Sequence, residues 1–244
     1  MPNQLYLPKI IGHRGAKGHA PENTLSSFRK AFELGAQWVE LDVKETQDGI
    51  LIIMHDDDLD RTTNAKGKVA QTPWSVIKTL DTGSWYSPQF AGEKIPTLLE
   101  AVQLFESLNL GVNVEIKACP NKETTTSILV ADFIKNNWPK KLAPPLVSSF
   151  SMESLKIAKK RNPDLIIGAL FENELPTNWN QIARDVQATT INIDNEILTQ
   201  DMINDIKNEG YQVLIYTVNS KERAKELFKM GVTSVFTDFP YKIN

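Results

Sequence analysis

The sequence predicts an α/β protein of the (β/α)8 class, a TIM barrel, with a small insertion after the strand that leads to His55. Three observations predict it. Short β-branched runs recur along the chain and are apolar on both faces, as buried parallel strands are. Amphipathic stretches separate most of them. The length of 244 residues suits one barrel of this class, which typically needs about 250.

The candidate strands are 9–13, 38–42, 112–117, 146–150, 165–170, 190–193, 212–218 and 233–237. The candidate helices are 24–34, 122–137, 152–160, 179–185, 199–208 and 221–230. Thr24 and Gly35 bracket the first helix as a start and a stop. Gly210 and Gly231 close two later ones. An open doubly wound sheet is the runner-up, but no GxGxxG follows the first strand. The chain is read as one domain over 1–244 with an insertion at about 56–96, rich in turn formers and aromatics and without a long periodic run.

One connection departs from the parallel pattern. The run 38–46 is followed by Gln47-Asp48-Gly49 and then 50–55, too close for a parallel return. Asp48-Gly49 signals a two-residue hairpin turn. That register sets Gln47 against Ile50, Glu45 against Ile52 and Asp42 against His55, so Glu40, Asp42 and His55 share a face.

Composition narrows the partners. Hydrophobic residues make up 41% and charged residues 23%, as in ordinary globular proteins. The balance of 27 Lys+Arg against 30 Asp+Glu, net −3, speaks against nucleic acid or an anionic membrane surface as partner. A single cysteine, Cys119, excludes an intrachain disulfide. Residues 1–8 lack the basic and apolar segments of a secretory leader, and no apolar run reaches the length of a membrane span. The expectation is a soluble cytoplasmic protein without a membrane anchor, acting on a small molecule. The oligomeric state is left open.

The chemistry concentrates at strand ends. Carboxylates inside a barrel are costly unless paired or bound to a metal. Glu40 and Asp42 end one strand, and Glu115 lies near the end of another with Lys117 two residues on. Three converging carboxylates repel unless a cation sits between them, and oxygen-only ligands favour a hard ion, Mg²⁺ or Ca²⁺. His13, Arg14, His55 and Lys117 surround that centre with donors. Such a set suits a phosphate ester: Arg14 and Lys117 hold charge, while His13 and His55 act as acid and base. Taken singly, each motif has a plainer reading, such as a capping histidine or a Glu115–Lys117 ion pair. The combination at separate strand ends outweighs those.

The ordered motifs His13-Arg14-Gly15, Ala20-Pro21-Glu22-Asn23-Thr24, Glu40-Leu41-Asp42, His55-Asp56, Arg61-Thr62-Thr63, Ile95-Pro96-Thr97-Leu98, Glu115-Ile116-Lys117, Thr217-Val218-Asn219 and Phe236-Thr237-Asp238-Phe239-Pro240 resemble those of the glycerophosphodiester phosphodiesterases. The resemblance spans nearly the whole chain. It implies a barrel with an insertion after the His-Asp motif, and hydrolysis of glycerophosphodiesters to sn-glycerol 3-phosphate and an alcohol. It further implies Glu40, Asp42 and Glu115 as ligands of one divalent ion, His13 and His55 as the acid–base pair, and Arg14 and Lys117 on the phosphate. Where the family often has Trp before Thr-Val-Asn, this chain has Tyr216, which keeps an aromatic substrate wall. Two other readings stand beside it. One is a lysophospholipase D with an apolar groove from Trp74, Trp85, Tyr86 and Phe90. The other is a non-catalytic barrel that binds a phosphate ligand.

Overall fold

The computed structural model describes residues 5–240. Residues 1–4, part of the segment read for a leader, lie outside the described residues. Eight parallel strands close into a barrel with helices between them. In chain order these are β1 (Ile10–Gly12), α1 (Leu25–Glu33), β2 (Trp38–Glu45), β3 (Leu51–Ile53), α2 (Trp74–Ile77), α3 (Leu98–Leu108), β4 (Gly111–Ile116), α4 (Glu123–Asn137), β5 (Leu146–Ser149), α5 (Met152–Arg161), β6 (Ile166–Phe171), α6 (Trp179–Asp185), β7 (Ala188–Asp194), α7 (Gln200–Asn208), β8 (Gln212–Tyr216), α8 (Lys221–Met230) and β9 (Ser234–Thr237). The closed order is β1-β2-β4-β5-β6-β7-β8-β9, with β9 pairing back to β1, so the sheet has no open edge along that ring. The TIM-barrel expectation is met, and β3 is the one extra strand, antiparallel to the end of β2.

Val39, Leu41, Val43, Val112, Val114, Val147, Ile167, Ile191, Ile193, Val213 and Ile215 are buried in one cluster with the apolar faces of the helices. Helix starts follow side-chain chemistry. Thr24, Thr97, Ser151, Thr199 and Ser220 each accept a hydrogen bond from the backbone N–H three residues on, satisfying a donor that the first turn leaves open. Helix α3 was not among the sequence expectations, although Thr97 and Glu100 form a capping box before its Leu-Leu-x-Ala-Val-x-Leu-Phe pattern. Its signal begins just past the aromatic, turn-rich segment expected at about 56–96, in a stretch to which the sequence reading gives no element.

The hairpin register is a correction. Val43 faces Ile53, Lys44 faces Ile52 and Glu45 faces Leu51, one residue away from the expected pairing. The loop holds three residues, Gln47, Asp48 and Gly49, not two. Thr46 N–H donates to Ile50 O at 3.0 Å, and Gly49, at φ +80°, donates to Thr46 O at 3.1 Å. A three-residue loop ending in a left-handed glycine has this form. Asp48 is no free turn corner: its Oδ1 accepts from Thr46 Oγ1 at 2.6 Å and from Trp74 N–H at 2.9 Å, tying the hairpin tip to α2. Asp42 therefore opposes Met54, whose N–H donates to Asp42 O at 2.9 Å.

Between β3 and α3 the chain makes an excursion with its own small core of Met54, Leu59, Val69, Ile77, Leu80 and Ile95 against Ile52 and Cys119. Among the described residues no helix is long and apolar enough to cross a membrane.

Candidate active site

The C-terminal ends of the parallel strands surround a cavity of about 210 Å³ lined by His13, Arg14, Glu40, His55, Glu115, Lys117, Phe150, Glu172 and Tyr216, among others. This is the end of a barrel where loops can vary without disturbing the core. Glu40 and Asp42 come from β2 and Glu115 from β4. The parallel register sets Asp42 beside Glu115 and Glu40 beside Asn113. One carboxylate oxygen from each of the three lies within 4.8 Å of the others, and all three residues are buried. Alternation along β2 explains why Glu40 and Asp42 point the same way, and the β2–β4 pairing explains why Glu115 joins them.

Each carboxylate meets a different environment. Burial opposes ionisation of Asp42, but the charges of Arg14, Lys117 and His55 outweigh it and hold its carboxyl well below the usual range. Asn23 Nδ2 also donates to Asp42 Oδ2 at 2.8 Å. Burial, then the charges of Asp42 and Glu115, push Glu40 well above its ordinary value. Burial, then Asp42, push Glu115 up to about 7. Glu40 Oε2 accepts from the Arg14 N–H at 2.8 Å, while the buried Glu40 Oε1 has no hydrogen-bond partner among the described residues. A buried acceptor left unpaired beside two further carboxylates fits a site for a cation that takes oxygen ligands.

His13 and Arg14 follow β1. The His13 N–H continues the sheet to Thr237 O at 2.9 Å. Arg14 then takes a left-handed φ of 49° and Gly15 one of 83°. A Cβ on Gly15 would come within 2.5 Å of Ser27 Oγ, so glycine lets the chain turn against α1. Arg14 Nη1 donates to Glu22 Oε1 at 2.6 Å, and its Nε lies 3.2 Å from Asp42 Oδ2. Lys117 Nζ donates to Glu115 Oε1 at 2.9 Å and lies 3.7 Å from Asp42 Oδ1.

The two histidines have matching supports. His13 Nδ1 lies 2.7 Å from Asp238 Oδ1, and His55 Nδ1 lies 2.7 Å from Asp56 Oδ1. Burial lowers the His13 pKa, with the Asp238 hydrogen bond opposing it. Burial likewise lowers that of His55, with Asp42 opposing it and Arg14 and Lys117 adding to it. His55 does not reach the cavity by the expected ladder alternation. The strand ends at Ile53, Met54 turns into the small core of the excursion, and the chain leaves the sheet with His55 on the cavity side.

All the sequence-predicted residues His13, Arg14, His55, Glu40, Glu115, Lys117 and Tyr216 line this one cavity, and Asp42 is buried against it. Tyr216 packs edge-to-face on Phe150 at 5.7 Å, and its hydroxyl donates to Phe171 O at 2.7 Å. Trp85 and Phe90, which the second reading placed in an apolar groove, each pack edge-to-face on Tyr86, and neither these three nor Trp74 line the cavity. Reading the sequence assigned no role to Glu22, Asn23, Asp56, Arg61 or Asp238, although all five stood inside the quoted motifs. The usable signal was a charged or amide side chain immediately next to a strand end, as Asp238 is to β9.

Residues 13–242 match the model of the glycerophosphoryl diester phosphodiesterase family. The chain belongs to that family. A glycerophosphodiester phosphodiesterase of Caldanaerobacter subterraneus subsp. tengcongensis is 35% identical over 235 residues, covering 95% of this chain and 94% of the relative. One of Bacillus subtilis is 34% identical, covering 94% of this chain and 83% of the relative. Among solved structures, an Oleispira antarctica phosphodiesterase in complex with the product sn-glycerol-3-phosphate superposes with a TM-score of 0.94 at 38% identity, covering 97% of this chain and 95% of that one. Family membership and the barrel agree with the motif order from which the sequence was read.

Proposed function

We propose that the protein hydrolyses glycerophosphodiesters to sn-glycerol 3-phosphate and an alcohol, with one divalent cation, Mg²⁺ or Ca²⁺, and with His13 and His55 as acid and base. The observation that carries this is the cluster of Glu40, Asp42 and Glu115, with ligand oxygens within 4.8 Å of one another and Glu40 Oε1 buried without a partner among the described residues. Family membership and the product-bound relative support the substrate class. Glu40, Asp42 and Glu115 would hold the ion. Bound there, it would polarise phosphoryl oxygens and offset the charge that develops on them.

The chain's own residues supply the rest. Lys117 and the outer edge of the Arg14 guanidinium would fix the phosphate, since Arg14 Nη1 already donates to Glu22 and its Nε lies 3.2 Å from Asp42. Each histidine spends Nδ1 on a carboxylate, so Nε2 is the atom left to carry a proton. Burial favours the neutral imidazole, which suits the histidine that acts as base at neutral pH. The other would gain its proton as the anionic ester binds and release it to the leaving oxygen. The nucleophile is water or the glycerol 2-hydroxyl, and a trapped cyclic phosphate would identify the latter. The excursion between β3 and α3 is taken as part of the same single domain, because it delivers His55 to the cavity.

A coupled assay for glycerol 3-phosphate release, run with Mg²⁺ and with Ca²⁺ over choline, ethanolamine, glycerol and inositol diesters, tests the proposal. Release from at least one diester supports it. No release from any diester with either ion rejects it.

A further inference from the structure

Arg61 lies on the excursion and does not line the cavity, yet it joins two loops that do. Its Nε and Nη2 donate to Asp56 Oδ2 and Oδ1 at 2.7 and 2.9 Å. Its Nη1 and Nη2 donate to Glu22 Oε2 and Oε1 at 3.0 and 2.7 Å. Asp56 in turn bonds His55, and Glu22 bonds Arg14. One planar guanidinium thus closes an unbroken chain of charged pairs: His55, Asp56, Arg61, Glu22, Arg14, Asp42.

A half-exposed arginine in an ion pair usually contributes little. This one differs in two respects. Both of its pairs are two-pronged, which specifies direction as well as distance. One of its partners, Glu22, has a side chain only 3% exposed, so the loss of a donor there is not made good by water. The Arg61 guanidinium also lies over the Trp85 ring, 5.9 Å from its centroid, a cation–π contact that favours this placement.

We propose that Arg61 is a positioning residue for the reaction, setting the His55 imidazole through Asp56 and the Arg14 guanidinium through Glu22 in a single act. The inference rests on the functional reading above for what His55 and Arg14 do, but not for their geometry. Asp56 Oδ1 is shared between His55 Nδ1 and Arg61 Nη2, while its Oδ2 accepts from Arg61 Nε. Without Arg61, the whole of its acceptor strength and charge falls on His55, which is also faced by Asp42, Arg14 and Lys117. His55 then binds its proton more tightly. His13, held by Asp238 and facing Arg14 and Lys17, has no bond to this clamp.

The test compares Arg61→Gln and Arg61→Lys with the parent protein. The chain has only three histidines, His13, His19 and His55, so their imidazole titrations can be followed individually by NMR with Mg²⁺ present. The expected result for Arg61→Gln is an upward shift of the His55 titration with His13 unmoved, and a loss of about tenfold or more in kcat/KM on the best diester. Arg61→Lys restores charge but not the fork and is expected to recover only part of either effect. An unmoved His55 titration in a folded Arg61→Gln protein overturns the proposal, whatever its activity. So does full recovery of both readouts by Arg61→Lys. If the parent protein hydrolyses no diester, the functional reading fails, while the His55 titration still decides whether Arg61 sets that imidazole.

Discussion

His13 and Asp238 stand 225 positions apart in the chain and 2.7 Å apart in space. The closure of β9 onto β1 makes this possible. His13 follows the first strand, Asp238 follows the last, and the His13 N–H completes the ladder to Thr237. Asn219 holds the other Asp238 oxygen at 2.9 Å, so the carboxylate that steers His13 is itself steered.

Replacing Asp238 by Asn keeps the shape but removes the charge and frees the imidazole to choose its tautomer. We expect kcat to fall by about 10- to 100-fold, less than loss of the histidine itself. The Asp238 bond raises the His13 pKa against burial, so its loss moves the His13 titration to lower pH. A titration that moves upward, or an unchanged kcat, would contradict the pairing.

His13→Ala and His55→Ala are each expected to lower kcat by about 10²-fold or more. The steady-state rate with saturating diester and metal measures this. A variant that turns over at nearly the parent rate excludes its histidine from the acid–base pair.

Chelation by EDTA is expected to abolish turnover, with Mg²⁺ or Ca²⁺ restoring it. The same ions are expected to raise the melting temperature in a pH-dependent way. Glu115 is lifted by burial and by Asp42 from the ordinary glutamate value of 4.5 to about 7, and Glu40 is lifted in the same direction. A group whose native pKa is raised contributes stability below its unfolded pKa and loses it as pH rises through the native one. The ion-free protein should therefore lose stability as pH climbs from about 4.5 through 7. A cation that binds the ionised forms should stabilise it more at about pH 8 than at about pH 6. Equal shifts at both pH values would argue against these carboxylates as the ligands.

Lys44 tests the scaffold beneath the cavity. Its side chain is 1% exposed, and its Nζ donates to Asp57 Oδ1 at 2.6 Å and to Lys117 O at 2.7 Å. Lys44→Met fills similar volume but leaves the Lys117 carbonyl without its donor and Asp57 without its cation. Asp57 is partly solvated, so the cost should fall below that of a fully buried pair, at about 2–3 kcal/mol. Equilibrium urea unfolding measures it, and a loss under about 0.5 kcal/mol would mean that the buried ammonium is dispensable.

The barrel could be read before folding because burial on both faces leaves a mark on sequence: short β-branched runs, most of them followed by an amphipathic helix. The residue types at strand ends were equally plain, since Glu40, Asp42 and Glu115 have no reason to sit on core strands unless something offsets their charge. Alternation then forced Glu40 and Asp42 onto one face. Other relations depended on distances that local pattern does not encode. One residue of loop length shifted the hairpin register, because Asp48 is drawn to the Trp74 N–H and Gly49 takes the left-handed position. His55 still arrived at the cavity, but through the packing of Met54 beneath it. The pairing of His13 with Asp238, the clamp of Arg61 on Glu22 and Asp56, and the contrast between an ionised Asp42 and a reluctant Glu40 were set only when the chain closed. Hydrogen-bond partners and electric fields act through space, and the separation of two residues along a chain does not report how near the fold will bring them.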